Sequence, residues 1–368
     1  MPLSLPRNAQ LWLPALLNSQ AQRLFRRRDP DGPTDVFFCI ADHYEPSHRT
    51  TDINVERARV RAWVDGYPRL AERFADADGR PPQHTFFFPE EDYRPELLDA
   101  LARLCDMGFG NVEVHLHHDN DTAAALRDRL GAFTESLFHR HGLLRRGADG
   151  RIRFGFVHGN WALDNARPDG RWCGVNNEIS VLLEAGCYAD FTLPAAPDPS
   201  QTRTINTIYY AVDDPAKPRS HEYGIPARAG VRPPPDGLLI VQGPLTFDMR
   251  RRVWKIFPGL ENGAIDSSDA HLPTLDRFAS WVDAGVSVAG RPEWVFVKVY
   301  THGAVEYNAA ALLGPTMQAF HTDINRTFND GSRYRLHYVT AYEMAALVKA
   351  AEAGLTGAPK DLIRYPFI

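Results

Sequence analysis

Three histidines and two aspartates lie within seven residues of the segment NVEVHLHHDNDT, residues 111 to 122. In a β-strand successive side chains point to opposite faces, so His115 and His117 would share one face of a strand. Imidazoles and carboxylates that cluster at the end of a strand are typical ligands of zinc and similar ions. Asp121 precedes an alanine- and leucine-rich stretch, where a carboxylate can also cap a helix. The segment therefore predicts a metal site or a helix cap, and a metal site needs further ligands from elsewhere in the chain.

Apolar runs that end in polar residues recur along the chain. Runs of this kind are typical of buried β-strands. They lie at residues 35–41, 84–89, 151–161, 189–194, 294–303 and 334–340, and helical patterns cover residues 54–77, 95–110, 121–142, 305–327 and 341–353. The alternation of strands and helices predicts a parallel sheet or barrel with crossover helices.

Composition narrows the class of protein. The 368 residues carry a formal net charge of -5, so the chain has no global attraction to nucleic acid. The four cysteines form no CxxC pair, which favours reduced thiols over a disulfide framework. The sequence shows no secretory signal pattern and no apolar run long enough to span a membrane. We therefore expect a cytoplasmic protein with no integral membrane segment.

A basic, apolar segment near the N-terminus allows two interpretations. Residues 11–28 combine tryptophan, leucine and phenylalanine with three consecutive arginines. Such a helix can lie on a membrane surface or on a partner protein. It can equally pack on the rest of the fold with its basic end exposed.

Candidate reactive residues stand where the apolar runs give way to loops. They are Asp42, His43, Glu90, His117, His158 and His302. In a parallel α/β barrel the carboxyl ends of the strands share one mouth, so residues far apart in sequence converge there. A divalent ion at such a place lowers the pKa of water and polarises a carbonyl group, while a carboxylate and a histidine transfer protons. The pattern predicts metal-assisted hydrolysis, with zinc as the expected ion.

The order of these segments resembles the five motifs of the polysaccharide deacetylases, the NodB-like carbohydrate esterases. The matching segments are DH at 42–43, EVHLHHDND at 113–121, FVHGNW at 156–161, ADF at 189–191 and YTHG at 300–303. The resemblance covers most of residues 35 to 340. It implies an α/β fold of the distorted seven-stranded (β/α) barrel type, and an enzyme that removes acetyl groups from sugar amides.

The resemblance also implies a division of the chain. It predicts an N-terminal helical extension at residues 1–34, a deacetylase-like barrel at residues 35–345 and a C-terminal tail at residues 346–368. Proline-rich stretches bracket a region at about residues 195–290 that does not follow the strand and helix repeat. We expect this region to be a long excursion from the barrel.

The family's catalytic roles can be carried over onto the matching positions. Asp42 would be the general base and His302 the general acid. The metal ligands would be His43, His117 and Asp121. In this sequence His43 replaces the second aspartate of the family's first motif, and Asp121 stands where the family has a histidine.

The residues themselves allow a rival ligand set of Asp42, His115 and His117, because these two histidines share a strand face. Spacing does not choose between the two sets. The residues expected to contact a carbohydrate or glycan substrate are Glu90, His158, Asn160, Trp161 and Asp190, and His158 stands near the position of the family's arginine.

Two other functions fit the same sequence. A glycosidase on a related barrel would use two carboxylates in place of a metal, drawn from Asp42, Glu90 and Asp190. A barrel that has lost its chemistry would bind glycans without turning them over.

Overall fold

A large, mostly parallel β-sheet with helices around it forms the framework of the protein. The computed structural model describes residues 6–25, 32–253 and 257–368. The strands in chain order are β1 (Thr34–His43), β2 (His84–Pro89), β3 (Gly110–Leu116), β4 (Arg145–Arg146), β5 (Ile152–His158), β6 (Cys187–Asp190), β7 (Ile208–Val212), β8 (Ile225–Pro226), β9 (Gly237–Val241), β10 (Thr246–Val253), β11 (Phe257–Glu261), β12 (Ala264–Ile265), β13 (Trp294–Thr301) and β14 (Tyr334–Tyr338). The helices are α1 (Ala9–Phe25), α2 (Ile53–Ala71), α3 (Pro95–Asp106), α4 (Ala123–Glu135), α5 (Glu178–Ala185), α6 (Leu275–Ala284), α7 (Glu306–Leu313), α8 (Pro315–Phe328), α9 (Ala341–Glu352) and α10 (Pro359–Leu362).

Seven neighbouring strands run parallel to one another, in the order β13, β1, β2, β3, β5, β6 and β9. The first half of β1 also pairs in parallel with β14, and the end of β13 pairs with β12. The antiparallel strands β7 and β8 extend the sheet beyond β9, while β10 and β11 form a separate two-stranded sheet. The predicted α/β class with a mostly parallel sheet is confirmed. The pairings between described residues do not join β13 to β9, so a closed seven-stranded barrel is not confirmed.

The central strand β1 shows how the sequence assigns side chains to the two faces of the sheet. Val36, Phe38 and Ile40 pack with the surrounding helices on what we call the outer face. Phe37 and Cys39 pack on the opposite, inner face together with residues of α9. Alternation follows from the pleat of the strand, and an apolar run without polar gaps is typical of a strand buried on both faces. Position along a strand therefore decides which face a residue reaches.

The structure refines several predicted elements. The helix predicted over residues 305–327 is two helices, because Pro315 has no amide hydrogen to continue α7 and instead begins α8. The region at about residues 195–290 contains β7 to β12 and α6. The boundary predicted at residue 346 falls inside α9.

Helix α1 packs on the region at about residues 195–290. Trp12 and Leu16 are buried, and Leu245 belongs to the same apolar cluster. This contact matches the packed interpretation of residues 11–28, of which residues 26–28 lie outside the described part, and a membrane contact stays a prediction. Among the helices that the structure describes, none is long and apolar enough to cross a membrane.

Candidate metal centre

Glu45 lies two residues beyond the end of β1 and is surrounded by imidazole rings. Its Oε1 atom is 3.4 Å from Nε2 of His115, 3.7 Å from Nε2 of His117 and 3.8 Å from Nε2 of His302. The ring centroid of His43 is 5.0 Å from that of His115 and 4.9 Å from that of His302. We call these five side chains the open cluster. Glu45 belongs to two triads of potential metal ligands, one with His43 and His302 and the other with His115 and His117.

The open cluster forms because parallel strands end at one edge of the sheet and alternation turns the correct side chains inward. His43 ends β1 and has the same parity as Phe37 and Cys39 of the inner face. His115 and His117 are likewise two residues apart, and their ring centroids lie 4.6 Å from each other. Strand geometry therefore delivers these histidines to one place.

Two histidines of the open cluster are held with Nε2 directed at Glu45. Nδ1 of His115 lies 2.8 Å from the carbonyl oxygen of Val157, and Nδ1 of His117 is hydrogen-bonded to the Glu91 carboxylate. A carbonyl oxygen can only accept, so Nδ1 of His115 carries a proton and donates it. In the neutral ring Nε2 then presents a lone pair, and this buried atom has no hydrogen-bond partner among the described residues. An imidazole lone pair and a carboxylate oxygen that face each other are placed as two ligands of one cation would be.

The electrostatics of the open cluster differ from residue to residue. Burial lowers the pKa of His117, but the hydrogen bond to Glu91 and the charges of nearby carboxylates outweigh it and raise this pKa above its usual value. Burial raises the pKa of Glu45, but the neighbouring imidazoles of His115, His302 and His117 outweigh it and lower this pKa to about 2. Burial and the nearby imidazoles lower the pKa of His43 well below its usual value, and burial also lowers the pKa of His302. The side chains of His117 and His302 are 32% and 37% exposed, so the cluster is open to solvent.

Asp42, the predicted general base, does not face the open cluster. It is completely buried, accepts a hydrogen bond of 2.6 Å from the amide of Gly303, and lies 2.8 Å from Nε2 of His84. Adjacent residues of a strand point to opposite faces, so Asp42 and His43 diverge. Asp42 thus anchors the residue that follows His302.

Asp121, the predicted third ligand, also lies elsewhere. Its Oδ2 atom is 3.2 Å from Nδ1 of His118 and 3.8 Å from Nη1 of Arg129. Arg129 binds Glu90 at 2.6 Å, which accounts for a second predicted site residue. Neither predicted ligand set forms a group of neighbouring donor atoms within the described residues.

The residues predicted to contact substrate divide between the cluster and the interior. The ring of Trp161 lies 6.4 Å from that of His43 and belongs to one short helical turn with Asn160. Asp190 is completely buried and accepts a hydrogen bond of 2.6 Å from Thr192, and burial raises its pKa to about 7. Trp161 therefore lies beside the open cluster and Asn160 precedes it in the chain, while Asp190 belongs to the interior.

A second group of potential ligands includes His118, the residue that follows His117 of the open cluster. His118, His158, Cys173 and Glu178 are buried, with donor atoms that all lie within 4.8 Å of one another. His158 has the parity of Phe156, which packs on the outer face, so the histidine points away from the open cluster. We call these four side chains the closed cluster. This buried group of histidine, cysteine and glutamate could hold a metal ion.

Several of these residues were absent from the sequence prediction. Glu45 has a sequence signal, since it stands two residues after His43, as His117 stands two residues after His115. Cys173 and Glu178 have no such signal, because a loop brings them to His118 and His158 without any regular spacing.

No family model and no curated protein sequence matches this chain. Its function is therefore inferred from the chemistry and geometry of the two clusters.

Proposed function

We propose that the protein is a metal-dependent hydrolase that removes an acetyl or other acyl group from an amino sugar or glycan, with zinc at the open cluster. The observation that supports this most directly is the set of imidazole Nε2 atoms around Glu45. Two of these rings donate Nδ1 to fixed oxygen atoms, which leaves Nε2 for a cation. A hydrolase also needs access to its centre, and the exposed edges of His117 and His302 provide it.

The sheet supports the family resemblance. We propose that the seven parallel strands from β13 to β9 are a divergent form of the distorted seven-stranded barrel of the deacetylases. Lys298 of β13 spans the gap between the two ends of the row: its Nζ donates hydrogen bonds of 2.7 and 2.6 Å to the carbonyl oxygens of Phe191 and Leu193, which follow β6. The buried ammonium thus links β13, the first strand of the row, to the segment after β6, and β6 pairs with the last strand, β9.

The proposed ligands are His115, His117 and Glu45. They keep the composition of two imidazoles and one carboxylate that the family resemblance implies, with Glu45 in place of Asp121. Glu91 fixes the ring of His117 through Nδ1. Three protein ligands leave an open position, as catalytic zinc sites require.

The remaining residues have roles in proton transfer and positioning. When bound, a zinc ion lowers the pKa of a water molecule toward about 7 and polarises a carbonyl oxygen. Neutral His302 accepts the proton of the attacking water and donates it to the leaving amine. Asp42 positions His302 through the amide of Gly303. Trp161 offers an apolar ring to one face of a sugar.

The test is hydrolysis of a panel of N-acetylated amino sugars by the protein as purified, after chelation, and after zinc is restored. We expect chelation to abolish acetate release and zinc to restore it. Glu45→Gln should abolish it under all three conditions, whereas Glu135→Gln, which alters an exposed pair with His139, should not. Acetate release that survives both chelation and Glu45→Gln would overturn the proposal.

A further inference from the structure

The four side chains of the closed cluster are spaced as ligands of one ion. Oε1 of Glu178 is 3.2 Å from Nε2 of His118 and 3.6 Å from Nε2 of His158. Sγ of Cys173 is 3.3 Å from Oε2 of Glu178. Ligands bound tetrahedrally to zinc at about 2.0 to 2.3 Å lie about 3.3 to 3.7 Å from one another.

The imidazole rings of the closed cluster turn Nε2 inward. Nδ1 of His158 donates to the carbonyl oxygen of Gly159, and Nδ1 of His118 lies 3.2 Å from the carboxylate of Asp121. Metal-binding histidines are held in this way by an oxygen atom behind the ring. Nε2 of His158 is buried and has no hydrogen-bond partner among the described residues. A hydrogen-bonded network without an ion leaves this atom unsatisfied.

The sulfur of Cys173 is fixed by contacts on both sides. It accepts backbone N–H groups from Asn165 at 3.3 Å and from Val175 at 3.4 Å. Amide donors to sulfur stabilise the thiolate form. Without an ion the thiol of Cys173 donates to Oε2 of Glu178. A bound divalent ion would take the place of this proton, because a cysteine ligand binds a metal as the thiolate.

We propose that His118, His158, Cys173 and Glu178 bind a second divalent ion, of the zinc class, with a structural role. The mixed set of thiolate, imidazole and carboxylate suits zinc, and four buried ligands leave no position for a substrate. The ion ties the loop after β3 to the end of β5 and the first residue of α5. Since His118 follows His117 directly, this site also fixes the loop that carries a ligand of the open cluster. The inference is independent of the proposed hydrolase activity.

Cobalt(II) substitution tests this site alone, because the open cluster contains no cysteine. The full chain is stripped of metal and titrated with cobalt chloride, and the near-ultraviolet thiolate-to-cobalt charge-transfer band is recorded. We expect the band in the wild type and in His115→Ala, and its loss in Cys173→Ser. The matched control Cys105→Ser, at a partly buried cysteine outside both clusters, should keep the band.

Two results would overturn the site: no band in the folded wild type, or an undiminished band in Cys173→Ser. If Cys173→Ser is not recovered folded, the titration is repeated with His158→Gln, which keeps the cysteine and removes one of its neighbouring ligands. A weakened or shifted band in His158→Gln supports the site, and a band identical to that of the wild type overturns it. A failed hydrolysis assay changes none of these outcomes, because the band reports Cys173 and not turnover.

Discussion

The open and closed clusters contain neighbouring residues, His117 and His118, yet they differ in the type of their ligands and in their exposure to solvent. The open cluster has no sulfur and keeps two histidines about one-third exposed. The closed cluster includes a thiol and buries all four of its side chains. The two residues follow the end of β3, and their rings point to different partners, that of His117 to Glu45 and that of His118 to Glu178. Two successive residues after one strand can thus enter two separate groups of potential metal ligands.

A third group, Asp76, Asp78 and His337, shows that proximity of donors is not sufficient for a metal site. Both ring nitrogens of His337 are engaged, Nδ1 with Asp78 at 2.8 Å and Nε2 with Asp35 at 2.9 Å. A ring bonded to a carboxylate at each nitrogen is an imidazolium in an ion pair and has no lone pair to offer. Within the described residues, the open and closed clusters each contain instead a buried imidazole nitrogen that has no hydrogen-bond partner and faces the other donors, Nε2 of His115 and Nε2 of His158.

The largest expected effect is on stability and comes from the closed cluster. His158→Gln should remove the part of the unfolding free energy that depends on zinc, about 4 kcal/mol when free zinc is about a thousand times Kd. The measurement is urea unfolding with and without chelator. The wild type and the control His141→Gln, at a buried histidine bonded to Asp99, should be destabilised by chelator more than the variant. Equal chelator sensitivity in all three would contradict the structural role.

The next effect is on catalysis and comes from the open cluster. His115→Ala should lower kcat/KM by at least about 100-fold, which corresponds to about 2.7 kcal/mol of transition-state stabilisation. The cobalt–thiolate band should be unchanged, since the closed cluster remains intact. Loss of the band together with activity would show that the two clusters are not separate sites.

A smaller effect is expected from Glu91, which holds the ring of His117 in the open cluster. Glu91→Gln should weaken zinc binding by about 10- to 100-fold, because the ring of His117 loses its carboxylate partner. Competition with a metallochromic indicator measures the affinity. Glu135→Gln, which changes an exposed bond to His139, is the matched control. Identical affinities in the two variants would argue against an orienting role for Glu91.

The smallest effect concerns the ion pair of His337. Burial lowers the pKa of His337, but the bonds to Asp35 and Asp78 outweigh it and raise this pKa above its usual value. The resulting stability is fully present below about pH 6.5, the unfolded value, and is lost as pH rises through the folded one. Urea unfolding across this range should show a shallower decline in stability for His337→Gln than for the wild type. Parallel curves would mean that His337 is not linked to the pH dependence.

Strand patterns in the sequence predicted the elements that carry the open cluster, because apolar runs and parity are local properties of the chain. The same patterns identified His43, His117 and His302 as residues of the strand ends. The position of Asp42 does not match the expected ligand and base roles, because adjacent residues of a strand point to opposite faces and His43 points to the inner one.

The rest of the two clusters depends on loops that the sequence pattern does not describe. Glu45 turns back over the strand ends after β1, and Cys173 reaches Glu178 through a loop whose amides bind its sulfur. Such contacts depend on the packing of distant segments. Asp121 illustrates the same limit, since it lies behind His118 in the closed cluster and not beside His43.

Zinc at the open cluster can be located in an anomalous difference map from zinc-loaded crystals. We expect a peak that contacts Oε1 of Glu45 and Nε2 of both His115 and His117. No peak at that position, or a peak bound instead by Asp42 or Asp121 together with His117, would contradict the proposed zinc site.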